Sequence, residues 1–312
     1  MGTPEFAVAS LEAIVREKMN VVGVVTVPDK QAGRGQSIHQ SDVKQFALKN
    51  NLKLLQPVNL KDSVFLSELK SLNPDIIIVV AFRMLPELVW KMPRLGTINL
   101  HASLLPNYRG AAPINWSIIN GEIETGVTTF FINKEIDTGK IILQHKIKIE
   151  PNYSAGELHD KLMYIGAELL ITTIKAIVEN KCTSIDQNTV SLSNIELKNA
   201  PKINKSDCMI NWNNRTSDIY NFIRGLSPYP GAYAELISPE SKKYFIKIFK
   251  SSITNKQKND EIGTIITDQK TFLNVATTDG LISLQEVQLT GRKKMRIDEF
   301  LRGFPLKGTW KF

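Results

Sequence analysis

The chain has 312 residues, 42% of them hydrophobic, and its 39 Lys and Arg against 31 Asp and Glu give a net charge of +8. This length suffices for two domains with a core each, and the longest apolar run, Ile76 to Phe82, is far shorter than the roughly 20 residues that span a bilayer. Two isolated cysteines, Cys182 and Cys208, fit neither a disulfide framework nor a metal site, and no secretory signal is visible, so we expect a soluble cytoplasmic protein without a metal.

In the first half of the chain, apolar spacing predicts short strands that alternate with helices. The predicted helices lie near residues 6–14, 42–51 and 63–71. The predicted strands lie at 21–25, 52–55, 76–80 and 97–100. Continuous runs of Ile and Val are typical of strands covered on both faces, so this order indicates an α/β fold with a doubly wound, mostly parallel sheet.

The second half changes character after a long amphipathic helix predicted at 154–180, which follows strands at 127–132 and 140–149. From 181 to 202 the periodicity fades, and beyond it a short helix near 216–224 precedes short strands with Gly and Asp turns. These strands, predicted at 245–249, 263–266, 272–276 and 281–287, fit a small β-barrel. We therefore predict a first domain at 1–180, a linker at 181–202 and a second domain at 203–312.

Positive charge is concentrated at the end of the chain. Residues 201–312 carry 18 Lys and Arg against 11 Asp and Glu, whereas residues 1–200 carry 21 against 20. The densest cluster contains Arg292, Lys293 and Lys294. A basic module beside a nearly neutral one suggests binding to a polyanion, and the alternative is a solvated face that serves solubility alone.

The strongest chemical signal is Asn99-Leu100-His101, at the end of a predicted buried strand. Side chains two residues apart leave the same face of a strand, so a small carbonyl group could meet an amide donor and an imidazole together. Asp137 lies in the following turn at 133–139, which could bring a carboxylate to His101. The pattern predicts an acyl-transfer site, although a lone strand histidine is more often a core residue.

Three loops are further candidates for binding. Proline makes Ser103-Leu104-Leu105-Pro106 a rigid turn, and 82–86 is a strand-to-helix connection with an apolar wall. Gly33-Arg34-Gly35 presents a planar donor fork on a permissive backbone, which suits phosphates and base edges, or it is a surface loop without function. Arg109 has no single assigned role, because it could contact a bound ligand or an RNA phosphate, or it could anchor its loop.

The chain resembles the 10-formyltetrahydrofolate-dependent transformylases, and among them most closely the enzymes that formylate methionyl initiator tRNA. The resemblance rests on Gly2 to Phe6, the Gly33 to Gly35 loop, Asn99 to Pro106, Asp137, and the run from Ile223 to Ala232, in that order along the chain. It implies a formyltransferase-type Rossmann-like domain followed by an OB-like domain that binds tRNA. It also implies formyl transfer from 10-formyltetrahydrofolate to the α-amino group of methionyl initiator tRNA.

The resemblance assigns roles to the candidate residues. Asn99, His101 and Asp137 are expected to be catalytic. The folate site is expected to contain Ser103, Leu104, Leu105, Pro106, Arg83, Met84 and Leu85. The tRNA contacts are expected to include Gly33, Arg34, Gly35, Arg292, Lys293 and Lys294. We expect a monomer that does not bind a membrane.

One departure from the family concerns the first strand. Members usually begin with a short apolar strand before the Gly-Thr-Pro turn, whereas here Met1 directly precedes Gly2. We therefore expect most of the first strand to be missing, which would leave buried backbone groups of its neighbours without partners.

Three other functions remain open from the sequence. A related enzyme that formylates a small amine would share Asn99, His101 and Asp137, but it would not need the Arg34 loop and the basic second domain together. A noncatalytic RNA-binding protein would not need to retain the three catalytic candidates. A folate-dependent hydrolase would arise if the site admitted water.

Overall fold

The computed structural model describes residues 1–32, 37–190, 196–254 and 260–312. Their packing forms two compact units. The first contains Met1–Gly110, Glu124–Ile147 and His159–Ala200, and the second contains Ala111–Ile123, Lys148–Leu158 and Pro201–Phe312. The predicted division into 1–180, a linker at 181–202 and 203–312 stays a prediction. In the structure, Ala111–Ile123 and Lys148–Leu158 group with the second unit.

The helices agree with the apolar spacing in most of the chain. In chain order they are α1 (Glu5–Arg16), α2 (Asp42–Lys49), α3 (Ser63–Ser71), α4 (Glu87–Trp90), α5 (Pro113–Ile119), α6 (Ala155–Val178), α7 (Thr216–Gly225) and α8 (Ile297–Gly303). Side-chain caps fix the starts of α2, α3 and α6: Ser41 accepts a hydrogen bond from the backbone N–H of Lys44, Asp62 accepts one from Phe65, and Ser154 accepts one from Glu157.

The strands of the first unit are short. They are β1 (Val24–Val25), β2 (Lys30–Ala32), β3 (Ser37–His39), β4 (Leu54–Leu55), β5 (Ile77–Val80), β6 (Thr97–His101), β7 (Arg109–Gly110), β8 (Glu124–Phe131), β9 (Ile141–Lys148) and β10 (Asn199–Ala200). The strands of the second unit are β11 (Ala232–Ile237), β12 (Lys243–Ile253), β13 (Ile265–Thr267), β14 (Leu273–Ala276), β15 (Leu281–Leu289) and β16 (Met295–Arg296).

In the first unit a sheet of order β5-β6-β8-β9 presents the candidate site. β5 and β6 are parallel, and β6 and β8 are antiparallel. Leu100 points toward α6, because a Cβ added to Gly166 of that helix would lie 2.9 Å from the Leu100 side chain. The side chains of Asn99 and His101 therefore leave the opposite face of β6.

Met1 and Gly2 lie between β1 and β5 and connect the β1–β4 pair to the larger sheet. The Gly2 N–H donates to Val25 O at 3.1 Å, and the Val80 N–H donates to Met1 O at 3.0 Å. The α-amine of Met1 donates to Ile78 O at 2.7 Å. A cavity of about 710 Å³ lies beside these residues and is lined in part by β1 and β5. The expectation that most of a first strand is missing stays a prediction.

The second unit contains an antiparallel sheet of order β11-β12-β15-β14-β13, with β16 paired to β15. The end of the chain bridges both edges of this sheet, since Lys311 pairs with Ile237 beside one edge and with Thr264 beside the other. The Phe312 N–H also donates to Gly263 O at 3.0 Å. Strand residues that alternate between buried and half-buried, as along β11, enclose the core of this small barrel-like domain.

Candidate active site

His101 is buried on β6 with one ring face against an aromatic neighbour. Its side chain is 7% exposed, and the Phe130 ring on β8 contacts it edge-on at 6.5 Å between centroids. The antiparallel register places Thr128 opposite His101 and Phe130 opposite Asn99, so all four side chains share one face of the sheet. This shared face is the floor of the site.

Asp137 comes to His101 from the loop between β8 and β9. One carboxylate oxygen, Oδ2, lies 3.8 Å from His101 Nδ1 and accepts a hydrogen bond from the Gly110 N–H at 2.9 Å. Asp137 has a φ of 55°, a left-handed conformation that aspartate tolerates better than most residues. The carboxylate is therefore fixed by a backbone donor rather than held by the imidazole alone.

The second imidazole nitrogen has a different partner. His101 Nε2 lies 2.9 Å from the backbone oxygen of Tyr108. A carbonyl oxygen only accepts hydrogen bonds, so Nε2 carries a proton and donates it to Tyr108 O. Nδ1 is therefore the nitrogen that can gain or lose a proton, and it is the one that faces Asp137.

Asn99 contributes a polar atom that the protein itself does not satisfy. Among the residues that the structure describes, its Oδ1 is buried without a hydrogen-bond partner. Leaving a buried acceptor unpaired costs about 1–3 kcal/mol, so such an atom is typical of a site that a ligand completes. An N–H group of a bound ligand has the right chemistry to donate to it.

The Ser103 to Pro106 turn is held by internal hydrogen bonds. The Ser103 hydroxyl donates to Asn107 O at 2.7 Å, and the Leu105 N–H donates to Thr128 Oγ1 at 3.1 Å. Gln144 on β9 donates to Leu105 O at 2.8 Å. The Leu105–Pro106 peptide bond is cis. These polar groups are already paired within the protein. The turn therefore contacts a ligand mainly through its shape and through the half-buried side chain of Leu104, and less through free hydrogen-bonding groups.

Arg83, Met84 and Leu85 are placed differently from one another. Arg83 donates from Nη1 to Val58 O at 2.8 Å and from Nη2 to Pro57 O, and Leu85 is buried in the core. The Met84 side chain is 69% exposed. Of these three side chains, Met84 is therefore the one most accessible to a ligand.

The predicted tRNA contacts fall in two places. Gly33, Arg34 and Gly35 lie outside the residues that the structure describes. Arg292, Lys293 and Lys294 are exposed in the second unit, between β15 and β16. The Lys294 ammonium pairs with Glu286 at 2.8 Å and lies 5.5 Å from the centroid of the Phe249 ring.

Several residues that sequence reasoning missed complete the site. They are Tyr108, Gly110, Thr128, Gln144 and Gln187. Tyr108 and Gly110 act through backbone groups, which no side-chain pattern identifies. The structure shows why a glycine stands at position 110, since its φ is 127° and an added Cβ would lie 2.4 Å from Ala200 O. Arg109, left open by the sequence, anchors the loop by donating from Nε and Nη2 to Gln187 Oε1.

The part of the chain that the structure describes holds neither a metal cluster nor a helix that could cross a bilayer. No cluster of three or more His, Cys, Asp or Glu side chains in this part of the chain is arranged to hold a metal ion. Within the same residues, no helix combines the length and apolar character that a bilayer crossing requires.

Family models match both halves of the chain. The formyl transferase model covers residues 1–174, and the model of the formyl transferase C-terminal domain covers residues 202–305. The first match contains Asn99, His101 and Asp137, and the second contains the basic cluster.

Full-length relatives extend this similarity. A methionyl-tRNA formyltransferase from Bacteroides fragilis is 53% identical over 311 residues, which cover 100% of this chain and 96% of the relative. The enzyme of the same name from Azobacteroides pseudotrichonymphae is 54% identical over 305 residues, or 97% of this chain and 94% of the relative.

Solved structures share the fold at lower identity. An N-formyltransferase from Helicobacter canadensis, in complex with folinic acid and dTDP-3-aminofucose, is 23% identical with a TM-score of 0.63, covering 94% of this chain and 97% of that one. WlaRD, a sugar 3N-formyl transferase, is 24% identical with a TM-score of 0.61 over the same shares. With family models on both halves and relatives identical at half of all positions, the chain belongs to the formyl transferase family.

Proposed function

We propose that this chain transfers the formyl group of 10-formyltetrahydrofolate to the α-amino group of methionyl initiator tRNA. The observation that carries the proposal is the buried His101–Asp137 pair, which shares a face with the unsatisfied Asn99 in a chain about half identical to methionyl-tRNA formyltransferases over its whole length. The folate supplies an activated formyl group on a nitrogen that serves as leaving group.

His101 and Asp137 carry out the proton transfers of the reaction. An α-amine has a pKa of about 8, so it must lose a proton to attack at neutral pH and a second one after the new C–N bond forms. His101 Nδ1 is the available proton acceptor, because Nε2 donates to Tyr108 O. The imidazolium returns a proton to the folate nitrogen as the bond between that nitrogen and the formyl carbon breaks, so tetrahydrofolate leaves as the neutral amine. Asp137 Oδ2, fixed by Gly110, stabilises the imidazolium and keeps the ring oriented.

Asn99 stabilises the charge that develops on the formyl oxygen. Its side-chain NH₂ donates a hydrogen bond to that oxygen, an interaction worth about 3 kcal/mol in comparable oxyanion sites. Its Oδ1 remains available to an incoming N–H group. The folate itself lies along the Ser103 to Pro106 turn and the 83–85 loop, where Leu104 and Met84 provide apolar contact.

The initiator tRNA is bound by positive charge and by the 33–35 loop. Arg292 and Lys293 are exposed, and neither side chain has an ion pair within the described ranges, so both remain available to phosphates. The family resemblance implies that Arg34 contacts the acceptor end of the tRNA, and we include that contact in the proposal. We place the protein in the cytoplasm, where its substrates are made, and propose that it acts as a monomer.

The proposal is tested by offering labelled 10-formyltetrahydrofolate with each of three acceptors. These are methionyl initiator tRNA, methionyl elongator tRNA and glycinamide ribonucleotide. Selective labelling of the initiator tRNA supports the proposal. Labelling of glycinamide ribonucleotide alone overturns the tRNA assignment while retaining formyl transfer, and release of free formate alone indicates a hydrolase.

The same assay tests the Arg34 loop. Arg34→Ala is expected to lower kcat/KM for the initiator tRNA at least tenfold and to leave folate binding within twofold. If kcat/KM for the initiator tRNA and folate binding fell in parallel, Arg34 would have no specific role toward the tRNA.

A further inference from the structure

Gln187 is a buried amide in a stretch of weak sequence periodicity. Its side chain is 3% exposed, and it begins the 3₁₀ helix Gln187–Thr189, which Asp186 caps by accepting from the Asn188 N–H at 2.9 Å. Neither the sequence pattern nor the expected catalytic roles include this residue. A buried glutamine needs hydrogen-bond partners for its whole amide, and those partners identify what it does.

All the hydrogen-bonding capacity of the Gln187 amide is used. Nε2 donates to Asp137 O at 2.9 Å and to Gly139 O at 2.7 Å. Oε1 accepts from Arg109 Nε at 3.0 Å and from Arg109 Nη2 at 2.6 Å. A guanidinium only donates and a carbonyl only accepts, so the orientation of the amide is unambiguous.

These partners hold Asp137 from two sides. On one side, Gln187 binds the carbonyl of Asp137 itself, whose φ is 55°, and the carbonyl of Gly139. The Gly139 backbone is already so close to β8 that an added Cβ would lie 1.6 Å from Phe131 O. On the other side, Gln187 binds Arg109, the residue before Gly110, and the Gly110 N–H donates to the Asp137 carboxylate.

We propose that Gln187 is a positioning residue for formyl transfer, which sets the distance between Asp137 Oδ2 and His101 Nδ1. The proposal rests on the function proposed above. Gln187 does not reach the reacting atoms. It acts by locking the 137–139 turn and the 109–110 strand into one rigid body, so that the carboxylate stays opposite the imidazole.

Two substitutions test this role. Gln187→Glu retains oxygen acceptors for Arg109 but loses the donor to the two carbonyls, and Gln187→Met retains the length without either function. We expect each to lower kcat by about 10- to 100-fold with little change in KM for either substrate. Gln45→Met, at an exposed glutamine that donates to Gln40 O, is the matched control and should stay within twofold.

Two readouts separate positioning from general stability. The midpoint of the kcat–pH profile of Gln187→Met should move toward that of Asp137→Asn, because displacing the Asp137 carboxylate weakens its field at His101. In the Asp137→Asn background, Gln187→Met should cost less than threefold further, since its effect passes through that carboxylate. Thermal melting identifies any variant that does not fold. If Gln187→Met does not fold, the same measurements are made with Gln187→Glu.

The outcomes distinguish the two proposals. If the wild-type protein does not formylate initiator tRNA, the proposed function fails, and the double-mutant comparison is made with whichever acceptor is labelled. If the wild-type protein is active and folded Gln187→Met and Gln187→Glu keep kcat within twofold, the positioning role is wrong. The positioning role would also be wrong if Gln187→Met lowered kcat as much in the Asp137→Asn background as it does in the wild-type protein.

Discussion

His101 and Asp137 are buried, and each is hydrogen-bonded to a backbone group, whereas Arg292, Lys293 and Lys294 are exposed on a turn of the second unit. In the first region, Tyr108 O and Gly110 N fix an imidazole and a carboxylate that are 7% and 12% exposed. In the second region, the described ion pair is that of Lys294 with Glu286 at the surface.

The difference reflects two kinds of recognition. Proton transfer and oxyanion stabilisation depend on distance and direction, so each group needs a fixed partner and loss of one partner is severe. Attraction of a polyanion depends on the number of accessible charges, so each contributes modestly and additively. The two regions should therefore respond very differently to single substitutions.

The largest effect is expected at Asp137. Asp137→Asn retains an oxygen that can accept from the Gly110 N–H but removes the negative charge beside His101. We expect single-turnover formyl transfer to slow at least a hundredfold, with folate binding within threefold. Near-normal transfer would show that the first region is not the more sensitive one and would remove Asp137 from the mechanism.

In a 312-residue chain that begins with a free Met1 α-amine, this buried group should make the stability of the first unit depend on pH. Burial lowers the pKa of the Met1 α-amine from 8.0 to about 5. Between these values the unfolded chain binds a proton that the folded chain excludes, so stability falls as the pH is lowered. We expect about 1.4 kcal/mol per pH unit between pH 7 and pH 6, roughly tenfold in the unfolding constant.

Urea titrations at both pH values measure this change, with the N-terminally acetylated 312-residue chain as the control. Acetylation removes the titrating amine but retains an N–H that can donate to Ile78 O. The pH dependence of the free energy of unfolding should be larger in the unacetylated chain, and the difference between the two chains should equal the expected slope. Equal pH dependence in both would contradict the buried amine as its source.

In the basic cluster, loss of two charges should act through affinity. Replacing Arg292 and Lys293 together with alanine is expected to weaken initiator tRNA binding several-fold to tenfold at low salt. The slope of log affinity against log salt should fall by about 1 to 2, and kcat at saturating tRNA should not change. An unchanged slope would place the phosphate contacts elsewhere.

The smallest effect is expected at Lys294. Its ammonium is already paired with Glu286, so Lys294→Ala removes a charge whose field is partly neutralised. We expect tRNA affinity within about twofold of the wild-type protein in the same titration. A loss as large as that of the double variant would make Lys294 a direct phosphate contact and reverse the ranking within the cluster.

The sequence predicted the elements that have strong, uninterrupted patterns. β6 and α6 lie where apolar spacing placed them, and the two-residue period put Asn99 and His101 on one face. The strand predicted at 21–25 is only two residues long, because β1 pairs with β4 over Val24 and Val25 alone. Helix α8 was not predicted, although Ile297, Phe300 and Leu301 are buried at helical spacing.

The rest of the site depends on contacts that no local pattern encodes. Tyr108 and Gly110 contribute backbone atoms, and their positions follow from the course of a loop rather than from side-chain chemistry. Gln187 is 50 residues from Asp137 in a segment that sequence analysis predicted as a linker. Long-range hydrogen bonds of this kind become visible only when the fold brings the segments together.

The bridging of both sheet edges by Lys311 has a consequence for self-association. Removal of Lys311 and Phe312 would leave the Ile237 N–H, the Ile237 C=O and the Gly263 C=O without the partners that they have in the structure. Free strand edges pair with other chains, and Phe312 also covers Trp212, with ring centroids 4.9 Å apart. A deletion of two residues, far too small to remove a domain, would convert the second unit into a template for aggregation.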